Sequence, residues 1–79
     1  MPRYFFDLHD GTVFRDEQGV ELPDLAAARE EATRALADTV QDELPRDGDD
    51  RQIKVIVRGE DGGTLMEVSV AYLVRPPKE

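Results

Sequence analysis

DLAAAREEATRALADTVQDEL, residues 24–44, is the stretch that decides the fold. Its apolar residues recur at steps of three or four, which is typical of one face of an amphipathic helix. Asp24 is suited to cap the first turn, because its carboxylate accepts a hydrogen bond from a free backbone amide. Pro45 is expected to end the helix at Leu44. The segment therefore predicts one long helix with a single apolar stripe, formed by Leu25, Ala28, Ala32, Ala35, Leu36 and Val40.

Strand-like segments flank this helix, two on each side. Residues 3–9 and 12–14 precede it, joined by an Asp-Gly pair that favours a tight turn. Residues 53–58 and 64–70 follow it, joined by a glycine-rich loop. Apolar and polar residues alternate in these segments, as they do in strands that bury one face. Residues 20–22 are predicted only as a short extended piece that leads into the helix.

The order of these elements predicts an α+β fold of the form β-β-α-β-β. We expect a four-stranded antiparallel sheet of order 2-1-3-4, with the helix packed on one face, because crossovers are right-handed. The 79 residues are expected to form a single small α+β domain, residues 1–79, with a frayed tail from about residue 75. The expected core comprises Tyr4, Phe6, Leu8, Leu25, Ala28, Ala32, Leu36, Val40, Ile53, Val55, Val57, Met66 and Val68.

Composition limits the classes of function. The net charge is −8, from eighteen acidic and ten basic residues. A negative field of this size repels phosphate backbones, so we expect no nucleic-acid partner and consider a basic protein partner possible. The opening residues contain no long apolar stretch, so neither a leader nor a membrane span is expected. The sequence contains no cysteine, which fits a cytoplasmic protein but also some exported ones; we expect a cytoplasmic location.

Few residues are candidates for chemistry. His9 is the only histidine and lies between Asp7 and Asp10, and these three residues are what a small enzyme or a metal-dependent hydrolase would use. A carboxylate–imidazole pair between Asp7 and His9 is possible, because both project to the same strand face. The acidic loop at Asp47, Asp49 and Asp50 departs from the EF-hand pattern, which needs a glutamate where Arg58 stands. We therefore expect no catalytic residue, cofactor or bound metal.

A set of residues on the sheet face away from the helix is the leading candidate surface. We define the open face as this second side of the sheet. Pattern reasoning places three large apolar side chains there among charged ones, and apolar patches of this kind mark interaction sites. Cover of this face by residues 72–74 is the alternative. The predicted interaction surface, through which we expect a homodimer, consists of Phe5, Ile56, Leu65, Arg3, Lys54 and Arg58.

Several motifs match those of a known family. They are the opening Met-Pro-Arg-Tyr-Phe-Phe-Asp-Leu, the Asp-Gly turn, residues 16–25 and the Ala/Glu-rich helix. Together they resemble a bacterial family of short proteins that is one of the catalogued domains of unknown function. The resemblance runs along nearly the whole chain and is strongest over residues 1–36. Members often carry histidine where Asp7 stands here. The resemblance implies a stand-alone bacterial, cytoplasmic protein, and it supplies no activity, cofactor or catalytic residue.

A second motif is similar to the HicB-type antitoxin domain, which places an acidic Pro-Asp-Leu segment before an Ala/Glu-rich helix. The matching residues are 22–25 and 28–37. The usual glycine-containing stretch and a DNA-binding extension are missing. The leading hypothesis is a non-enzymatic interaction module of unknown ligand that self-associates through the open face. The alternatives are an antitoxin-like inhibitor of a basic nuclease and the small enzyme described above.

Overall fold

The computed structural model of the protein describes residues 1–43, 50–73, 75 and 77. In these residues one helix packs on an antiparallel sheet. The predicted α+β class is therefore confirmed. The elements in chain order are β1 (Arg3–Asp10), β2 (Thr12–Phe14), β3 (Val20–Glu21), α1 (Leu25–Glu43), β4 (Arg51–Arg58) and β5 (Thr64–Tyr72).

The sheet has five strands in the described part of the chain, and its main path is β2-β1-β4-β5. The predicted count of four strands, and with it the predicted order, is wrong in detail, because β3 also pairs with β1. That strand comprises only two residues, Val20 and Glu21. A period of two cannot be detected in so short a segment, since strand patterns need about four or more residues.

β2 and β3 form the two halves of one interrupted strand beside β1. Leu8 pairs with Phe14 in β2, and Tyr4 pairs with Val20 in β3. Four steps along β1 therefore correspond to six steps along the opposite segment. The two additional residues belong to the loop between the half-strands, residues 15–19. Defined in this way, the 15–19 loop faces the middle of β1, where no strand of the described residues pairs on that side.

The helix begins as predicted. The amide of Ala27 donates a 2.9 Å hydrogen bond to the Asp24 carboxylate, which confirms the cap. Arg34 pairs with Glu31 at 2.6 Å, one turn away on the outer face. Leu25 is 42 % exposed, so its prediction as a core residue is wrong. It is the first residue of the helix. The predicted stop at Leu44 and Pro45 lies outside the described residues.

The core lies between α1 and the central strands. Small helix residues allow close approach, and the helix packs on β4 and β5. The buried apolar residues are Tyr4, Ala28, Ala32, Leu36, Ile53, Val55 and Val57, all of which the periodicity predicts. Partly buried residues that pack against them are Phe6, Leu8, Leu22, Ala35, Val40, Met66, Val68 and Val70.

Residues 71 and 72 continue β5 rather than folding over the sheet. Ala71 and Tyr72 pair with Gln52 and Arg51 of β4. Leu73 is 57 % exposed. Among the described residues, then, the C-terminal segment does not cover the open face. Residue 74 and most of the predicted frayed tail lie outside the described part of the chain.

Candidate functional site

A buried ion pair lies at one end of the open face, between β1 and β4. The guanidinium of Arg58 donates from Nε to Asp7 Oδ2 at 2.7 Å and from Nη2 to Asp7 Oδ1 at 3.1 Å. Both side chains are largely buried. The guanidinium also lies over the ring of Phe5, 5.1 Å from its centroid. Two parallel hydrogen bonds from one arginine hold the carboxylate in a single orientation.

Asp16 of the 15–19 loop joins this pair to the unpaired stretch of β1. Its backbone amide donates to Asp7 Oδ1 at 2.9 Å, and its carbonyl accepts from Arg58 Nη2 at 2.8 Å. The carboxylate of Asp16 accepts from the amide of Phe6 at 3.0 Å. It therefore replaces the strand partner that this amide would otherwise need. We call Asp7, Asp16 and Arg58 the aspartate–arginine cluster.

The 15–19 loop is shaped by Asp16 and closed by a glycine. The second carboxylate oxygen of Asp16 accepts from the amides of Gln18 and Gly19, at 3.1 and 3.0 Å. Gly19 has φ +72°, and a Cβ at this position would lie 2.9 Å from the side chain of Phe5, the side chain of Arg3 and the carbonyl of Tyr4. Only glycine fits, because the loop lies directly against β1.

The charges in the cluster change its acid–base behaviour. The hydrogen bonds from Arg58 are the main cause that lowers the pKa of Asp7, against the opposing effect of burial. Burial raises the pKa of Asp16, but the amides of Gly19, Phe6 and Gln18 outweigh it and lower that pKa. The same pairing with Asp7 raises the pKa of Arg58. All three groups are therefore charged near neutral pH.

The structure divides the predicted interaction surface into two parts. Arg3, Phe5 and Arg58 contact the 15–19 loop: Arg3 donates from Nη1 to the carbonyl of Gln18 at 2.8 Å. Lys54, Ile56 and Leu65 do not belong to that contact. These three residues are called the uncovered part of the open face.

The uncovered part has its own geometry. The Nζ atom of Lys54 lies 3.8 Å from Oε1 of Glu67. Ile56 lies between two buried neighbours of β4 whose side chains face the helix, so its own side chain faces away from it. Leu65 is 47 % exposed. It lies where the pairing of β4 and β5 shifts register, an irregularity that a strict period of two does not predict.

The candidate catalytic residues do not meet in one place. The carboxylate of Asp7 accepts hydrogen bonds from Arg58 and from the amide of Asp16. In the described residues no hydrogen bond joins it to His9. Asp10 accepts from Arg51 at 3.4 Å, at the opposite end of β4. His9 instead lines a shallow depression of about 210 Å³ together with Gly11, Thr12, Val13, Gln52 and Lys54.

No group of three or more histidine, cysteine, aspartate or glutamate side chains in the described residues could hold a metal ion. Of the acidic loop that the sequence singles out, Asp47 and Asp49 lie outside the described residues. The described part also contains no helix long and apolar enough to cross a membrane.

Sequence reasoning missed the role of Asp16 and treated residues 15–19 as an ordinary polar loop. One local signal was present, since an aspartate followed three residues later by glycine is typical of a turn in which the side chain bonds the backbone. No local signal indicates that the same carboxylate bonds Phe6 or that Asp7 meets Arg58.

The architecture defines a small α+β protein in which one helix covers a mainly regular antiparallel sheet. A family model described as Domain of unknown function (DUF6894) matches residues 3–71, so the chain belongs to this family. The predicted resemblance to a family of unknown function is confirmed. No curated protein and no solved structure matches the chain. The similarity to the HicB-type antitoxin domain stays a prediction.

Proposed function

We propose that the protein is a non-enzymatic interaction module that associates with a second copy of itself through the open face of its sheet. The observation that carries this proposal is the uncovered part of that face. There Leu65 is 47 % exposed and Ile56 is partly buried, and both lie beside the pair of Lys54 and Glu67. A cytoplasmic location belongs to the same proposal and is supported by the lack of cysteine.

Two features favour contact between identical faces. Apolar surface gains about 25 cal/mol per Å² when it leaves water, and a thin core leaves stability to be gained by association. The Lys54–Glu67 pair presents both signs of charge at the edge of the apolar residues. A two-fold axis brings each charge of one copy near the opposite charge of the other. The 15–19 loop restricts this contact to the half of the face that it leaves free.

Sedimentation equilibrium at micromolar concentration tests the proposal. Ile56→Arg places a charge in the contact and is expected to reduce association, while Ala26→Arg adds the same charge on the exposed surface of α1 and is the matched control. Circular dichroism verifies that each variant is folded. Leu65→Asp provides a second change on the same surface. Wild-type association that neither Ile56→Arg nor Leu65→Asp weakens would exclude this face.

The second candidate function is inhibition of a basic protein, such as a nuclease. The net charge of −8 favours it, together with the Pro-Asp-Leu segment that leads into α1. We expect a neighbouring gene to encode a small basic protein that co-purifies with this chain at low salt and dissociates at high salt. If no neighbouring gene encodes a basic protein, this candidate is excluded.

A further inference from the structure

The outer edge of β5 carries a row of backbone groups that no described strand pairs. β5 is nine residues long and pairs only with β4 in the described part of the chain. Natural edge strands are usually protected by proline, lysine, a bulge or short length. From Met66 to Tyr72 this strand contains neither proline nor lysine, its pairing is regular, and Glu67 is its only charge. This edge is therefore ready to accept another strand.

An apolar groove lies directly beside this edge. It has a volume of about 440 Å³ and runs between the helix and β5. Its lining includes Ala37 and Val40 of α1 and Val68, Ser69 and Val70 of β5. Ala37 and Ser69 are exposed, and the three valines are partly buried. A strand added to β5 would therefore gain apolar contacts as well as backbone hydrogen bonds.

We infer that the β5 edge is a second self-association surface, which pairs antiparallel with β5 of another copy about a two-fold axis at Ser69. The groove residues of β5 are centred on Ser69, so an axis there brings the two grooves together. Val68 of one copy then lies opposite Val70 of the other. Glu67 lies opposite Ala71, so this register separates the two identical charges.

A two-fold axis perpendicular to the sheet keeps both helices on the same side. The Ala37 surfaces of the two copies then face each other across the joined grooves, and the strands form one continuous sheet. The contact is self-complementary, because each copy supplies the same open edge and the same groove. The apolar groove is separate from the open face, since Ala37 and Val40 lie on the helix side of the sheet.

Two substitutions of equal charge separate this edge contact from the proposed face contact. Ala37→Arg puts two arginines into the joined grooves and is expected to weaken edge dimers about tenfold or more, because their desolvation is not compensated. Ala26→Arg is the control, and Ile56→Arg reports on the open face. Circular dichroism again verifies the fold.

Sedimentation equilibrium then gives distinct outcomes. A dimer that Ala37→Arg dissociates and Ile56→Arg leaves intact supports the edge contact and excludes the face contact. The reverse result overturns the edge inference and supports the proposed function. If both contacts form, the wild type assembles into species larger than a dimer. Ala37→Arg and Ile56→Arg then each reduce the assembly to a dimer. A monomeric wild type overturns both.

Disulfide trapping tests the register directly, because the chain has no cysteine of its own. Directly opposite residues of an antiparallel pair have Cα atoms about 4.5–5.5 Å apart, within the range that a disulfide spans. Ser69→Cys is therefore expected to give a covalent dimer under mild oxidation. Ala71→Cys lies two residues away on the same strand and is expected to stay largely monomeric. Equal trapping at both positions would overturn the inferred register.

Discussion

The two edges of the sheet differ in how their backbone groups are paired. On one side, β1 is covered by two short half-strands, and the gap between them is filled by the Asp16 carboxylate, which accepts from the amide of Phe6. On the other side, β5 extends for nine residues with one charge and no described partner. One edge is closed by polar side chains from the same chain, and the other is open.

The residues that stabilise the fold and the described residues that are free to bind another copy therefore lie at opposite edges of the sheet. The closed edge depends on the aspartate–arginine cluster, whose hydrogen bonds join residues far apart in sequence. Substitutions there are expected to act on folding. Among the described residues the open edge takes part in no such network, so substitutions there are expected to act on association.

Asp7→Ala is expected to have the largest effect at the closed edge. It leaves Arg58 without its carboxylate and removes the acceptor of the Asp16 amide. Breaking a buried pair in this way lowers the free energy of unfolding by about 3 kcal/mol. Urea denaturation measures the change. Glu21→Ala is the control, because its single 3.3 Å ion pair with Arg3 joins two half-exposed side chains and is worth about 1 kcal/mol or less. Equal losses would contradict a special role for the cluster.

Gly19→Ala is expected to lower the free energy of unfolding by about 2 kcal/mol, because it combines an unfavourable backbone conformation with close contacts to β1. Gly11→Ala is the matched control: its φ of +73° is nearly the same, but no atom lies within 4 Å of the added Cβ. We expect Gly11→Ala to lower the free energy of unfolding by about 1 kcal/mol. Thermal unfolding of both variants measures the difference. Identical melting temperatures would show that the 15–19 loop does not pack against β1.

Asp16→Asn is expected to lower the free energy of unfolding by about 1 kcal/mol at neutral pH, since the amide side chain keeps only one acceptor oxygen. Glu17→Gln, an exposed neighbour, is the control. The folded-state pKa of Asp16 lies below its ordinary value of 3.8, so the ionised carboxylate stabilises the fold above that value. Its contribution is lost as the pH falls through the folded-state pKa.

The difference between wild type and Asp16→Asn should therefore be complete at pH 7 and shrink below about pH 4. Denaturation measured as a function of pH provides the test. A difference that is constant down to pH 2 would show that the charge of Asp16 does not contribute.

Ala71→Lys is expected to have the smallest effect on folding. Ala71 is exposed on the open edge, so the substitution should change the unfolding free energy of the monomer by no more than about 0.5 kcal/mol. The measurement uses dilute protein, so that association does not contribute. Hydrogen exchange of the β5 amides provides a second measure of the stability of this strand. A loss as large as that of Asp16→Asn would mean that the open edge also supports the monomer fold.

The cluster shows the limits of prediction from local pattern. The periodicity predicts Asp7 on the same strand face as His9, but its burial depends on Arg58 and on the amide of Asp16. These residues lie 51 and 9 positions away in the chain, respectively. A period of two assigns a residue to a face, but it does not tell which polar partner reaches that face. For the same reason Phe5 was predicted as free surface, although Arg58 and Gly19 lie against it.

The sequence by itself determined the α+β class, the capped helix and most of the core, because these follow from apolar periodicity and from bonds between residues near one another in the chain. Only the tertiary structure decided that the open face is half covered and that β2 and β3 share one side of β1. The physical reason is that buried charges and backbone amides are satisfied by partners from distant positions. Those partners come together only when the strands are already side by side.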